Sequence, residues 1–496
     1  MKKPKIIAFM TVLILIISMI LCSCNANGNK DANSIKNDSD NAQNAIDGAE
    51  EATEAEIPDN LPERDFGGYN FRLYLDESNV KDMYIEEEVG EIVDDAVYKR
   101  NKVVEERFNI NISTVLHPAD WSRGMDGTKA IKAGDDAFDL MLTHGRIAYQ
   151  YAGQDMVIDW IENMPYVDLT AVWWNQDVNN DSTMFGRLYC TAGDISYRGL
   201  RTTFCMIFNK NLFQDLGIAY PYADVVNGKW TLDKFISIVK AGMADLNGDG
   251  AMSPRDDRYG LVTGNIWGYP TSVLYCGGDR VIAKGEDGLP VLAVYNERTI
   301  DIFEKFFDML NSGAALVGGE KNAAWGNPEN VGVFRAGRAL FTHDGMGAIV
   351  SLRDMEEEIG ILPTPKYDEK TPKYYGLVEC YGGLLTVPVT VRDYERTSII
   401  TEALCAEGYK IVIPAYYEKA LKTKYARDDE SEEMLDYIKY SAVYDYGYMN
   451  HTLAGDPLSS IGAILVQTNN PNFTSVYEKN VDKAQKNIDK FVLKYE

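Results

Sequence analysis

Hydrophobic and polar positions change period several times along the chain, and each change predicts an element. Tyr69-Asn-Phe-Arg-Leu-Tyr-Leu75 alternates, as a half-buried strand does. From 91 to 108 the apolar residues Ile92, Val93, Ala96, Val97, Val103, Val104 and Phe108 fall on one helical face. Alternation returns over 109–115, a helix is expected over 128–133, and Asp139-Leu-Met-Leu-Thr143 reads as a short strand ending on His144-Gly145-Arg146. Strand, helix, strand, helix, strand predicts βαβ units and a parallel sheet. Ligands of such sheets bind beyond the carboxyl ends of the strands. That places His144 and Arg146 beside a site; the alternative is that both are plain loop residues.

Further on, a strand is expected over 204–209 and a helix over 211–216, stopped by Gly217. Thr231 reads as the N-cap of a helix that carries Phe235, Ile236 and Val239 on one face. A strand over 259–263 leads into Gly264-Asn-Ile-Trp-Gly-Tyr-Pro270, and a helix is expected over 297–310. The 334–345 stretch predicts a strand ending on His343-Asp344-Gly345. Helical spacing recurs after 391, over 431–440 and over 476–495, with no internal repeat.

Candidate chemistry sits between these elements. Aromatic faces stack on the C–H face of a pyranose while amides and charged groups meet its hydroxyls, which singles out Asn265, Trp267 and Tyr269 in their Gly-flanked loop. Between 244 and 257 lies Asp245-Leu-Asn-Gly-Asp-Gly-Ala-Met-Ser-Pro-Arg-Asp256. Oxygen ligands at positions 1, 3 and 5, Gly at 6, a carbonyl at 7 and an oxygen at 9 are what a calcium loop requires. Asp245, Asn247, Asp249, the Ala251 carbonyl and Ser253 fill those places, and Asp256 stands where Glu is usual, with Asp257 beside it. The expectation is one structural Ca2+, against the alternative of an Asn/Asp/Gly-rich turn that binds nothing.

The two ends of the chain say where it works. Lys2, Lys3 and Lys5 precede a run from Ile6 to Leu21 that is apolar except for Thr11 and Ser18. This is a secretory signal, short for a spanning helix, which needs about 20 apolar residues. Leu21-Cys22-Ser23-Cys24 resembles a bacterial lipobox, with Cys24 as the acylated residue after cleavage. The Asn-, Asp-, Ala-, Ser- and Glu-rich stretch that follows buries too little to order itself and reads as a spacer. Net charge is −26 over 496 residues and becomes −29 without residues 1–23. So acidic a chain disfavours nucleic acid, whose phosphates need Lys and Arg. The scattered Cys190, Cys205, Cys276, Cys380 and Cys405 do not make a disulfide framework, and four histidines show no zinc motif.

Taken in order, several segments resemble the family 1 extracellular solute-binding proteins of ABC importers, in their lipoprotein form from Gram-positive bacteria. They are the lipobox, Ala96–Glu105 before a strand, Asp139-Leu-Met-Leu, Phe208-Asn-Lys-Asn-Leu-Phe213, Trp230-Thr-Leu-Asp-Lys-Phe235, Ala336-Gly-Arg-Ala-Leu-Phe341 and Ile361-Leu-Pro-Thr-Pro365. The resemblance implies an α/β, two-lobed periplasmic-binding-protein-like fold of type II, hinge-connected, with the ligand cleft between the lobes. It implies a signal peptide over 1–23, a spacer over 24–65, an N-terminal lobe of 66–200 with 343–382, and a C-terminal lobe of 201–342 with 383–496. The expected ligand residues are His144 and Arg146 from one lobe, Asn265, Trp267 and Tyr269 from the other, Asp344 and Tyr381 from the crossing segments, and Trp325. The implied protein is a monomer held by a lipid (palmitate-type) anchor on the outer face of the cell membrane. It would capture a solute, an oligosaccharide before others, and deliver it to ABC permease subunits, without being an enzyme. The alternatives are a surface carbohydrate-active hydrolase or lyase, and the same receptor with a peptide or other non-sugar ligand.

Overall fold

The computed structural model describes residues 57–120, 122–264, 266–318, 328–425 and 428–495. The leader, Cys24 and most of the expected spacer therefore lie outside the described residues, as do Asn265 and Trp325. Among the described residues no helix is long and apolar enough to cross a membrane.

The chain opens as its periodicity predicts. Strand β1 (Tyr69–Asp76), helix α1 (Ile92–Phe108), β2 (Ile110–His117), α2 (Thr128–Ala133), β3 (Leu140–Thr143) and α3 (Gly145–Gly153) follow in order. Asn109, at φ 48°, ends α1 in the left-handed region, where a short polar side chain is tolerated. β1 runs parallel to β2, with Tyr69 opposite Ile110 and Asp76 opposite His117, and parallel to β3 on its other side.

A second sheet begins at β4 (Phe204–Asn209). Helix α4 (Leu232–Gly242) follows, N-capped by Thr231, whose side chain accepts the Lys234 N–H. Then come β5 (Tyr259–Thr263), the hairpin β6 (Ile282–Lys284) and β7 (Pro290–Leu292), α5 (Glu297–Asn311), β8 (Ala315–Val317), β9 (Ala339–Gly345) and β10 (Ile359–Pro363). After β11 (Gly376–Leu377) and β12 (Leu384–Thr386) the chain is mainly helical: α6 (Tyr394–Glu407), π-type turns over Gly408–Val412 and Ala415–Tyr425, α7 (Asp429–Ser441), β13 (Ala442–Val443), short helices, and α8 (Phe473–Tyr495).

The strands form two principal sheets, ordered β12-β3-β1-β2 and β10-β4-β9-β5-β8. These pairings divide the chain differently from the lobe boundaries expected from sequence. β10 belongs to 343–382, yet it pairs antiparallel with β4 in the second sheet. β12 belongs to 383–496, yet it pairs antiparallel with β3 in the first, and α6 packs on α1. The chain returns to the first sheet only after β10, and nothing local in the sequence marks which distant strand an edge will accept. The docked part also starts before residue 66. Arg107 pairs with Asp59, and Leu61 packs on the core of the first sheet, so burial and charge order a segment whose composition reads as linker.

Three segments cross between the sheets side by side. Thr203 O accepts the Met346 N–H at 2.9 Å, Arg201 O that of Gly347 at 2.8 Å, and Thr202 O that of Glu379 at 3.2 Å. All five cysteines within the fold are free and buried.

Candidate functional site

The site grows from the carboxyl end of β3. His144 leaves the strand and N-caps α3, its Nδ1 accepting the Arg146 N–H at 3.3 Å. The imidazole stands edge-on to the ring of Tyr381, with centroids 4.8 Å apart at 88°. Arg123 Nη1 lies 3.3 Å from His144 Nε2, and the Arg123 guanidinium is 5.6 Å from the Tyr381 ring. Burial, then the nearby Arg123 and Arg146, push His144 well below its ordinary pKa, so it is neutral.

Glu379 arrives on a crossing segment. Its carboxylate accepts the Tyr381 N–H at 2.5 Å and the Tyr448 hydroxyl at 3.3 Å. Burial raises its pKa, opposed by these two hydrogen bonds and by Arg146 and Arg123. Ligand atoms of His144, Glu379 and Cys380 lie within 4.8 Å of one another, the one such His/Cys/Asp/Glu trio among the described residues. Two guanidinium groups beside it oppose a dication, and the trio is better suited to hydrogen bonding.

Tyr381, which is 44% exposed, shares a cavity of about 330 Å³ with Asp344, Glu379, Arg201 and Phe204. Asp344 is exposed and accepts the Gly345 N–H at 2.7 Å. Arg201 is held by Asp82 at 2.8 Å. The cavity sits where the three crossing segments meet, so the expected Asp344 and Tyr381 are brought together there, a short step from His144.

Arg146 has a different place. Its guanidinium bonds Ser460 Oγ at 2.6 Å and Asp456 Oδ1 at 3.3 Å, and lies 5.3 Å from the Tyr448 ring. The segment it grips packs on the second sheet's side: a Cβ on Gly462 would meet Pro270 O at 1.7 Å. Arg146 thus ties α3, beside the first sheet, to helices beside the second.

Tyr269 does not belong with the ligand residues. It is fully buried, with its ring 5.7 Å from Phe235, 5.8 Å from Phe306 and 4.9 Å from His343. It opens a short helix, Tyr269–Ser272, whose residues are all buried, and burial is the commoner fate of a large ring. Trp267, two residues earlier, is half-buried.

Arg123, Glu379, Arg201 and Tyr448 were missed by the sequence reading. Arg123 follows β2 and was open to the same end-of-strand argument as His144. Glu379 precedes Tyr381 by two residues, the spacing of an acid that caps a turn. Tyr448 and Ser460 carry no local signal, because only packing of the C-terminal helices brings them to α3.

The acidic loop is ordered by its own side chains. Asp245 accepts the N–H groups of Gly248 and Gly250, both at 2.7 Å, Asn247 that of Asp249, and Asp249 that of Ala251. Ser253 Oγ donates to Asp256 at 3.4 Å. The acid that closes the loop is Asp257, buried, accepting Leu246 N–H at 2.8 Å and Ser253 N–H at 2.7 Å, while Asp256 stays exposed. These backbone hydrogen bonds, that to Leu246 the largest cause, lower the pKa of Asp257.

No family model and no curated protein matches the chain. Solved structures do. A sugar transporter protein from Rhizobium etli in an open conformation is 13% identical, with a TM-score of 0.58 over 84% of this chain and 99% of that one. UgpB from Mycobacterium tuberculosis, in complex with glycerophosphocholine, is 14% identical, with a TM-score of 0.58 over 86% and 99%. The GacH receptor of Streptomyces glaucescens, solved unliganded and with acarbose, is 13% identical, with a TM-score of 0.56 over 85% and 99%. What the chain shares with them is the fold, α/β halves joined by crossing segments.

Proposed function

We propose that this chain, built on the two-lobed fold of ABC-importer substrate-binding proteins, is such a receptor and captures an oligosaccharide in the cleft between its sheets. The observation that carries the reading is the convergence of His144 from the first sheet, Asp344 from the second and Glu379-Cys380-Tyr381 from a crossing segment on one place at the hinge. An exposed aromatic ring beside carboxylate acceptors is what a pyranose needs. A ligand that touches both halves stabilises their closed arrangement by its differential affinity for it, and a permease can read that arrangement. Thermal shift against mono- and oligosaccharides, with glycerophosphocholine included, tests this. A saccharide that raises the melting temperature is expected, whereas new reducing ends or unsaturated products appearing in the mixture would replace the receptor with an enzyme.

Two expectations from the sequence complete the proposal. Diacylated Cys24 would hold the receptor outside the cell, within reach of its permease subunits, since two acyl chains anchor stably where one does not. A Cys24→Ala protein that stays on cells without lipid would contradict this. A structural Ca2+ would be held by Asp245, Asn247, Asp249, the Ala251 carbonyl, Ser253 and Asp256; the Asp245-to-Gly250 hydrogen bond bends the loop as position 1 to position 6 requires. Chelation should then lower the melting temperature and added calcium restore it; an unchanged melt reduces the loop to a turn.

A further inference from the structure

Against helix α7 lies a second pocket, of about 270 Å³, which shares no lining residue with the hinge cavity. It is lined by Val225, Val226, Gly228, Lys366, Pro372, Lys373, and by Tyr374, Tyr437, Tyr440 and Ser441 of neighbouring elements. The chain carries 75 acidic residues against 49 basic ones, yet this lining holds two lysines and no acid.

Lys366 is the unusual member. It is 6% exposed, and its ammonium donates to Thr371 O at 3.0 Å and Glu369 O at 3.2 Å, with no carboxylate of the described residues within ion-pair distance. Two carbonyls use two of its three N–H donors. The ammonium also stands over the Tyr374 ring, 5.7 Å from its centroid. Neither the carbonyls nor the ring neutralises the buried charge, so an anion that reached it would be favoured. Gly228 keeps space beside it, because a Cβ there would come within 3.2 Å of Lys366 Nζ, and the φ of 68° favours glycine. The nearest acid on the adjoining helix, Asp224, is already paired with Lys234 at 2.5 Å.

The remainder of the lining is aromatic and apolar. Tyr374 is fixed by its hydroxyl on Val225 O at 2.9 Å, and stands edge-on to Tyr437 at 5.9 Å. Tyr440 is 73% exposed and Val226 49% exposed, an unusual amount of apolar surface for one rim. Lys373, also exposed, lines the pocket, and its ammonium stands over the Tyr375 ring at 5.4 Å.

We infer a second ligand site here, for a small carboxylate carried on a single aromatic ring. The carboxylate meets Lys366 at the floor, the ring lies among Tyr374, Tyr437 and Tyr440, and Lys373 adds positive charge at the rim. The volume suits a one-ring molecule, since it falls just below the roughly 300–1,000 Å³ of drug-sized sites.

The test is calorimetric titration of the whole protein with 4-hydroxyphenylacetate and, in parallel, with its uncharged amide. The acid should bind about tenfold or more tightly than the amide, the difference that a charge-assisted hydrogen bond makes. Lys366→Met should abolish that preference while keeping the melt cooperative. Lys373→Glu and Tyr440→Ala, both on the exposed rim, should each weaken the acid and decide the matter if Lys366→Met does not fold. Equal affinity for acid and amide, absence of binding at millimolar concentration, or wild-type affinity in the rim variants overturns the assignment.

Discussion

The cores beneath the two sheets are built from different chemistry. Around the first sheet, charge is buried. Arg72 grips Asp139 through Nε at 2.9 Å and Nη2 at 3.1 Å, and Tyr69 donates to the same carboxylate at 2.7 Å. Arg100, with no exposure, donates to the Ile195 and Met83 carbonyls. Glu402, equally buried, accepts the indole N–H of Trp173 at 2.8 Å and of Trp174 at 2.9 Å. Around the second sheet the core is aromatic: Phe341 is ringed by Phe235 at 5.2 Å, Phe213 at 5.4 Å and Trp230 at 6.0 Å. A polar core loses stability when a proton moves, and an aromatic core when volume is removed. The hinge cavity lies between the two and draws on both, with carboxylates beside a bare ring.

The largest effect should come from the aromatic side. Phe341→Ala is expected to cost about 3–5 kcal/mol in urea unfolding, the loss typical of a buried phenylalanine, and to cost the same at pH 5 and pH 8. On the polar side, Glu402→Gln should reveal a pH term. Burial pushes the Glu402 carboxyl up to about 7 from an ordinary 4.5, opposed by the Trp174 and Trp173 N–H groups. The folded protein therefore holds a proton that the unfolded chain has released, and this group's contribution falls as pH rises from 4.5 to 7. Relative to Glu402→Gln, the wild type should lose about 3 kcal/mol between pH 5 and pH 8. A flat difference would show that the carboxylate is solvated in the fold.

Between the two halves, Arg146→Met should release the tie to Ser460 and Asp456. We expect a larger radius of gyration in small-angle scattering without ligand, from a loss of about 1 kcal/mol in closure, because Asp456 is exposed and the pair is screened. Tyr381→Ala should be the mildest, leaving the melting temperature unchanged and weakening saccharide binding by about 1 kcal/mol. Unaltered binding would remove Tyr381 from the site.

The elements themselves were open to reading. The alternation at 69–75, the one-faced helix ahead of 109 and the Thr231 cap each report a local preference of a few consecutive residues, and β1, α1 and α4 appear where those preferences put them. His144 was legible for the same reason, since it follows directly on the strand that presents it. The return of β10 to β4 and of β12 to β3 was not. Each is a choice among sheet edges far apart in the chain, made by burial and not by the strand's own residues. Tyr269 and Tyr381 make the point: both are tyrosines beside glycines, and one is core while the other is exposed.

The sequence by itself determined the acidity and the order of strands and helices, because these depend on periodicity, charge and neighbours along the chain. The tertiary structure decided which arginine ties the halves, which aromatic ring stays exposed at the hinge, and that Lys366 is buried with backbone carbonyls as its hydrogen-bond partners. Those outcomes depend on which distant surfaces meet, and burial then fixes what each charge and ring can do.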